Sequence, residues 1–268
     1  MKIPTILTLT ALLLSSATQA QPSAAPAAAP PQAPAAPAAP APTFTLPTQK
    51  ADVPAQKYDN KTGEVSVGFL AAHERFVAIA KEGSTQLLFL GDSITAGWGG
   101  QKAIWDAAFG AYQPANFGIG GDRTQHVLWR ITNGELDGIK PKAVVLMIGT
   151  NNAGADSAED IAKGITVIVE TIREKQPQAK ILLLAVFPRG DKPTGKLNAA
   201  NTKLVEVNST IAKLDDGKNI FFIDIGTAFP LADGALSAEV MPDFLHLSPV
   251  GYQIWADAIG SKLAELMQ

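Results

Sequence analysis

Three residues of this chain have the types needed for nucleophilic attack by a serine: Ser93 in Gly91-Asp92-Ser93-Ile94-Thr95, and Asp243 with His246 in Asp243-Phe244-Leu245-His246. A serine hydroxyl is a poor nucleophile until a base accepts its proton. An imidazole is such a base, and a carboxylate three residues before it can fix its tautomer and stabilise its cation. Taken alone, Ser93 also suits the cap of a short helix, because Thr95 stands where a Gly-x-Ser-x-Gly elbow needs glycine. Two further loops supply hydrogen-bond donors, Gly118-Ile119-Gly120-Gly121-Asp122 and Gly149-Thr150-Asn151-Asn152. Glycine lets a backbone N–H approach a ligand closely, and an asparagine amide adds two side-chain donors.

Composition removes other chemistries. The chain has no cysteine, hence no thiol nucleophile, disulfide or cysteine-ligated metal. Its three histidines, His73, His126 and His246, are scattered, so the expectation is chemistry without metal or organic cofactor. With 22 Lys plus Arg against 25 Asp plus Glu among 268 residues, the net charge is −3 and nucleic acid is not an expected partner. Two glycine-rich runs are decoys. Gly190 to Leu197 approaches a phosphate loop but has Leu197 where a hydroxyl must hold Mg²⁺, and Gly118 to Arg123 lacks the last glycine of a dinucleotide fingerprint.

The elements that must position these residues alternate between short apolar runs and longer amphipathic ones, the rhythm of an α/β domain. Strands are predicted at Gln86 to Leu90, Ala115 to Phe117, Ala143 to Ile148, Ile181 to Phe187 and Ile220 to Asp224. The almost wholly apolar runs suit parallel strands buried on both faces. Helices are predicted at Phe69 to Lys81, Thr124 to Thr132, Ala158 to Lys175, Lys196 to Leu214 and Pro249 to Met267. Ser157 with Asp160, and Ser248 before Pro249, are start signals for two of them. The pattern predicts one three-layer α/β/α sandwich around a five-stranded parallel sheet over residues 48–268. Its ligand site is expected at the carboxyl ends of the strands.

Ahead of that domain, residues 1–20 run from Lys2 through an apolar stretch of about 12 residues into Ser15 to Ala20, the order of a secretory signal. The stretch is too short to span a membrane, which takes roughly 20 apolar residues. Export to the periplasm or beyond is expected, without stable membrane insertion after cleavage. Residues 21–47 are a Pro/Ala-rich linker; Gln21 to Pro42 holds 8 Pro and 11 Ala and no charge, which favours polyproline II over any core.

The blocks GDSIT, NFGIGGD, GTNN and DFLH, in that order between Gly91 and His246, resemble the SGNH or GDSL-type serine hydrolases. Asn116 to Leu136, and the helix carrying His73 and Phe76, are similar to the subgroup of the catalytic subunits of platelet-activating-factor acetylhydrolase IB. The resemblance implies a flavodoxin-like fold, with Ser93 as nucleophile, His246 as general base then acid, and Asp243 orienting His246. It also implies an oxyanion hole made of the N–H groups of Ser93 and Gly121 and the side-chain amide of Asn151.

Ile94, Thr150 and Leu245 adjoin these residues in sequence and are expected to border a compact acyl pocket suited to acetyl or other short acyl groups. Trp98 is the tryptophan expected to reach the substrate cleft. His126 and Arg130, one helical turn apart, read as anchors for a loop or for a carboxylate such as Glu135. The substrate class is a small-molecule or carbohydrate ester. O-acetylated carbohydrate ranks ahead of a generalist short-chain or lysophospholipase-like activity, and a non-catalytic surface protein is the reading from another class. Oligomeric state is not encoded in these motifs. N-terminal sequencing of the exported protein is expected to begin at Gln21; a start at Met1 would mean that the signal is retained.

Overall fold

The computed structural model describes residues 45–268 apart from Pro230, so the signal segment and most of the Pro/Ala linker lie outside the described residues. The apolar runs form β1 (Leu87–Gly91), β2 (Pro114–Gly118), β3 (Ala143–Met147), β4 (Lys180–Leu184) and β5 (Ile220–Ile223). All pair in parallel in the order β2-β1-β3-β4-β5. Successive side chains on a strand point to opposite faces. Leu88, Leu90, Phe117, Val144, Leu146 and Leu183 therefore pack in one core under α1 (Val67–Glu82), α4 (Thr124–Arg130), α5 (Ala158–Lys175) and α6 (Ala199–Ile211). Leu87, Phe89, Val145, Met147 and Leu184 pack in a second core under α3 (Lys102–Phe109) and α7 (Pro249–Leu266). Each such side chain stabilises the fold by roughly 1.5–3 kcal/mol.

The expected three layers and five strands are present, with shifts that have local causes. Ser66 accepts from the Phe69 N–H and starts α1 two residues early, whereas Ser157 and Ser248 cap α5 and α7 where the sequence places them. The fourth strand stops at Leu184 because beyond Ala185 the Asn208 side chain replaces the neighbouring strand, its Oδ1 accepting from Val186 N at 2.8 Å and its Nδ2 donating to Val186 O at 2.9 Å. The helix α3 and a small antiparallel pair, β6 (Leu231–Ala232) with β7 (Ala235–Leu236), are additional to the sequence reading. The Gly190 to Leu197 run is a turn closed by a bridge between its two ends. Among the described residues no helix is long and apolar enough to cross a membrane.

Strand β1 lies between β2 and β3, so the connections after β1 and after β3 run towards opposite edges of the sheet and their loops part there. Gly91, Gly118 and Met147 stand level across the three strands, which brings the loops bearing Ser93, Gly121 and Asn151 to one edge. Close contact at Gly118 fixes the spacing between β2 and α2 (Ser93–Ala96). A Cβ there would lie 2.2 Å from Ala96 N and 2.8 Å from Thr95 C, both backbone atoms that cannot rotate aside. Gly118→Ala is therefore expected to lower stability by about 1–3 kcal/mol, read as a reduced denaturant midpoint; an unchanged midpoint would show that the contact is relieved without cost.

Candidate active site

Asp92, Ser93 and Ile94 make the transition from β1 into α2. The Asp92 carboxylate accepts from Ile94 N at 2.9 Å, and its backbone oxygen accepts from Ala96 N at 2.8 Å, so the helix begins at Ser93. The far end of this short helix is held by Asn116 Nδ2, which donates to Thr95 O at 3.0 Å, and by the Tyr252 hydroxyl, which donates to Ile94 O at 2.6 Å. Ser93 is thereby half-buried on a braced turn.

Its Oγ lies 2.9 Å from His246 Nε2, and His246 Nδ1 lies 2.8 Å from Asp243 Oδ2. The other Asp243 oxygen accepts from His246 N at 2.7 Å and from Leu245 N at 3.2 Å. Burial acts to raise the Asp243 carboxyl, but the hydrogen bonds from the His246 side chain and backbone outweigh it and hold the group below the ordinary carboxylate value. Asp243 is thus an anion at neutral pH. Phe244, between the two residues, has φ of 58°, in the left-handed region that side chains seldom occupy. Its buried ring packs on Gly195 and its carbonyl accepts from Gly190 N at 2.9 Å, which holds this turn in place.

The donors lie on the two neighbouring loops. Gly121 has φ of 73° and its turn is closed by Asp122 N donating to Ile119 O at 3.2 Å. Asn151 Nδ2 donates to Asp122 O at 2.8 Å, joining the loop after β3 to the loop after β2. Beneath them Arg130, wholly buried, donates from Nε to Asp122 Oδ2 at 2.9 Å, from Nη1 to Glu135, and from Nη2 to Phe117 O and Gly91 O at 3.1 and 3.3 Å. Glu135 also meets His73 Nδ1 at 3.0 Å. Burial raises Asp122 to about 6, against the attraction of Arg130 and Lys57. His126 is pushed down to about 3, first by burial and then by the positive charges of Lys57, Arg123 and Arg130. Its neutral ring accepts from Arg123 N at Nδ1, so Nε2 carries the proton and donates to Gln49 Oε1.

Ser93, Asp243 and His246 thus form one hydrogen-bonded chain, and Gly121 and Asn151 lie on loops beside it. His126 and Arg130 are anchors, as their spacing suggested. The expected pocket walls need correction. Ile94 and Thr150 are each 1% exposed: Ile94 points from the first turn of α2 into the core holding Trp98, and the Thr150 hydroxyl accepts from Arg189 Nη1. Trp98 is likewise a core residue, packed on Trp255 and Phe109, and the surface pocket that it borders contains neither Ser93 nor His246. Leu245 is partly buried at the edge of the same core. The sequence reading missed Lys57, whose ammonium lies 3.7 Å from Asp122 Oδ1 and donates to Gly120 O. Asn152 was also given no role, yet it ties this loop to α4 through Thr124 N at 3.0 Å. No local motif marks Lys57, whereas Asn152 stands in the GTNN block beside Asn151. Among the described residues, no three His, Asp or Glu side chains gather as metal ligands would.

Comparison with known proteins places this geometry. The model of the GDSL-like Lipase/Acylhydrolase family matches residues 89–254. The alpha2 subunit of platelet-activating factor acetylhydrolase IB from Rattus norvegicus is 44% identical over 201 residues, covering 75% of this chain and 85% of that protein. A GDSL-like lipase from Bacteroides thetaiotaomicron superimposes with a TM-score of 0.61 at 20% identity, covering 74% of this chain and 97% of that one. A carbohydrate acetylesterase from Sinorhizobium meliloti has the same fold, with a TM-score of 0.52 at 20% identity over 67% of this chain and 98% of that one.

Asp92, beside the nucleophile, is wholly buried, and burial raises its carboxyl to about 7. Between pH 4 and 7 the folded protein then keeps a proton that the unfolded chain has released from a carboxyl of ordinary pKa. The resulting stability is present below about pH 4 and lost as pH rises through 7. Asp92→Asn keeps the oxygen that accepts from Ile94 N and removes this titration. Its unfolding free energy relative to wild type, read from denaturant melts, is expected to be higher at pH 8 than at pH 5 by an amount on the order of 2 kcal/mol. The same difference at both pH values would show that Asp92 ionises normally.

Proposed function

The chain belongs to the GDSL-like lipase/acylhydrolase family and is an ester hydrolase, and from that premise we propose that it cleaves acetyl and other short-chain acyl esters through an acyl-serine on Ser93. The observation that carries this reading is the unbroken path from Ser93 Oγ through the His246 ring to an ionised Asp243. Ser93 Oγ attacks the ester carbonyl carbon as His246 Nε2 takes its proton. The imidazolium so formed faces the Asp243 carboxylate, and the new oxyanion receives the N–H groups of Ser93 and Gly121 and the Asn151 amide. Collapse breaks the bond to the alcohol oxygen, which takes the proton from His246. Water then repeats the sequence on the acyl-serine and releases the acid.

The acetyl preference is supported by the 44% identical relative named an acetylhydrolase. For the alcohol we propose a polar one, an O-acetylated sugar or polysaccharide. A cavity of about 370 Å³ borders Gly121, and its lining includes Lys57, Tyr58, Asn60, Arg123 and Asp156. These side chains offer hydrogen bonds to hydroxyls, beside an apolar part of the wall at Leu46, Pro47 and Ala155. The apolar leader of residues 1–20 supports export of the enzyme to where such polymers occur.

The test is acetate release by wild type and Ser93→Ala from acetylated xylan, acetylated monosaccharides and nitrophenyl acetate. Release is expected from all three, fastest from a carbohydrate, and to fall at least 1000-fold in Ser93→Ala. Activity confined to the nitrophenyl ester would favour a generalist esterase. Equal activity of the two proteins would remove Ser93 from the mechanism.

A further inference from the structure

Lys57 lies outside the matched family region, on the lead-in that precedes α1, and no catalytic motif contains it. Its ammonium nevertheless donates to the carbonyl of Gly120. A peptide unit is planar and trans, so its C=O and its N–H point in opposite directions. The N–H opposite the Gly120 carbonyl is that of Gly121, the backbone donor assigned above to the oxyanion. We propose that Lys57 is a positioning residue for the oxyanion hole, holding the Gly120–Gly121 peptide so that its N–H faces the carbonyl under attack by Ser93. The inference rests on the oxyanion reading of the previous subsection.

Three observations support it. Gly121 has φ of 73°, a conformation open to glycine, and a Cβ there would stand 2.9 Å from Lys57 Nζ, so the lysine closely backs the turn. The same ammonium lies 3.7 Å from Asp122 Oδ1, an oxygen that accepts no hydrogen bond among the described residues, while Arg130 takes the other oxygen. Lys57 is itself held by its surroundings. Its carbonyl accepts from Ser66 N at 2.8 Å at the start of α1, and the lead-in is fastened to α4 by Thr124 Oγ1 donating to Ala51 O at 2.7 Å and Ala55 N donating to Gln125 O at 3.1 Å. A charged donor on the carbonyl also polarises the amide, making the opposite N–H a stronger donor where negative charge develops.

The test compares Lys57→Met, Lys57→Arg and Asn151→Ala with wild type, measuring kcat and KM for nitrophenyl acetate and the inhibition constant of phenylboronic acid, whose tetrahedral serine adduct places an oxygen in the hole. Lys57→Met is expected to lower kcat about 10- to 100-fold, less than the roughly 100- to 1000-fold loss of a whole donor. Its KM should stay within about twofold and its boronate affinity should weaken in step with kcat, with Lys57→Arg recovering most of both. Should Lys57→Met fail to fold by circular dichroism, Lys57→Ala, which likewise carries no donor, takes its place with the same expectations. Unchanged kcat and boronate affinity, or a rise in KM alone, would overturn the role of Lys57. If Asn151→Ala also leaves kcat and boronate affinity unchanged, it is the oxyanion reading that fails.

Discussion

A single buried guanidinium holds the catalytic edge of the sheet together. Arg130 donates to the carbonyls of Gly91, the last residue of β1, and Phe117, the last but one of β2, to the Asp122 carboxylate in the loop after β2, and to Glu135 beyond its own helix. Removing such a charge from water costs several kcal/mol unless partners surround it, so Asp122 and Glu135 are required by Arg130 as much as they restrain it. The ends of β1 and β2 carry Ser93 and Gly121, and their separation is therefore set by a group with no freedom to move. His73 on α1 extends the network to the outer layer through Glu135.

The rest of the site accepts local strain in return for position. Phe244 takes a left-handed conformation between Asp243 and His246, which lets one carboxylate accept both the His246 N–H and the ring proton on Nδ1. Such a conformation costs of order 1 kcal/mol or more, offset by burial of the Phe244 ring. Buried Asp92 likewise trades ionisation for a short, firm start to α2. In both cases the cost lies beside the reacting atoms, while the compensation lies in the hydrophobic core under α7 for Phe244 and in the hydrogen bond from Ile94 N for Asp92.

Charge around the site is organised locally and not by the net balance of the chain. A protein with a formal charge of −3 places Lys57, Arg123 and Arg130 around one small region, where burial first and then these charges keep His126 in its neutral form. His126 thus serves as a hydrogen-bonding cap between Arg123 N and Gln49, leaving His246 as the histidine in contact with Ser93. The lead-in ahead of α1 is the segment that supplies both Gln49 and Lys57.

Local sequence determined the parts that depend on neighbours along the chain. The almost wholly apolar runs are the strands because only a two-sided core accepts them, Ser157 and Ser248 start their helices because an oxygen there meets free N–H groups, and Asp243 reaches His246 because only two residues separate them. Arg130 was legible as an anchor from its spacing to His126 and Glu135. Tertiary structure alone decided what depends on approach in space. Spacing in sequence could not show that Ile94 and Thr150 turn inward, since the direction of a side chain after a strand is set by the packing it meets. Nor could it show that Lys57 reaches a carbonyl 63 positions away, because that contact exists only once the lead-in is fastened across α4.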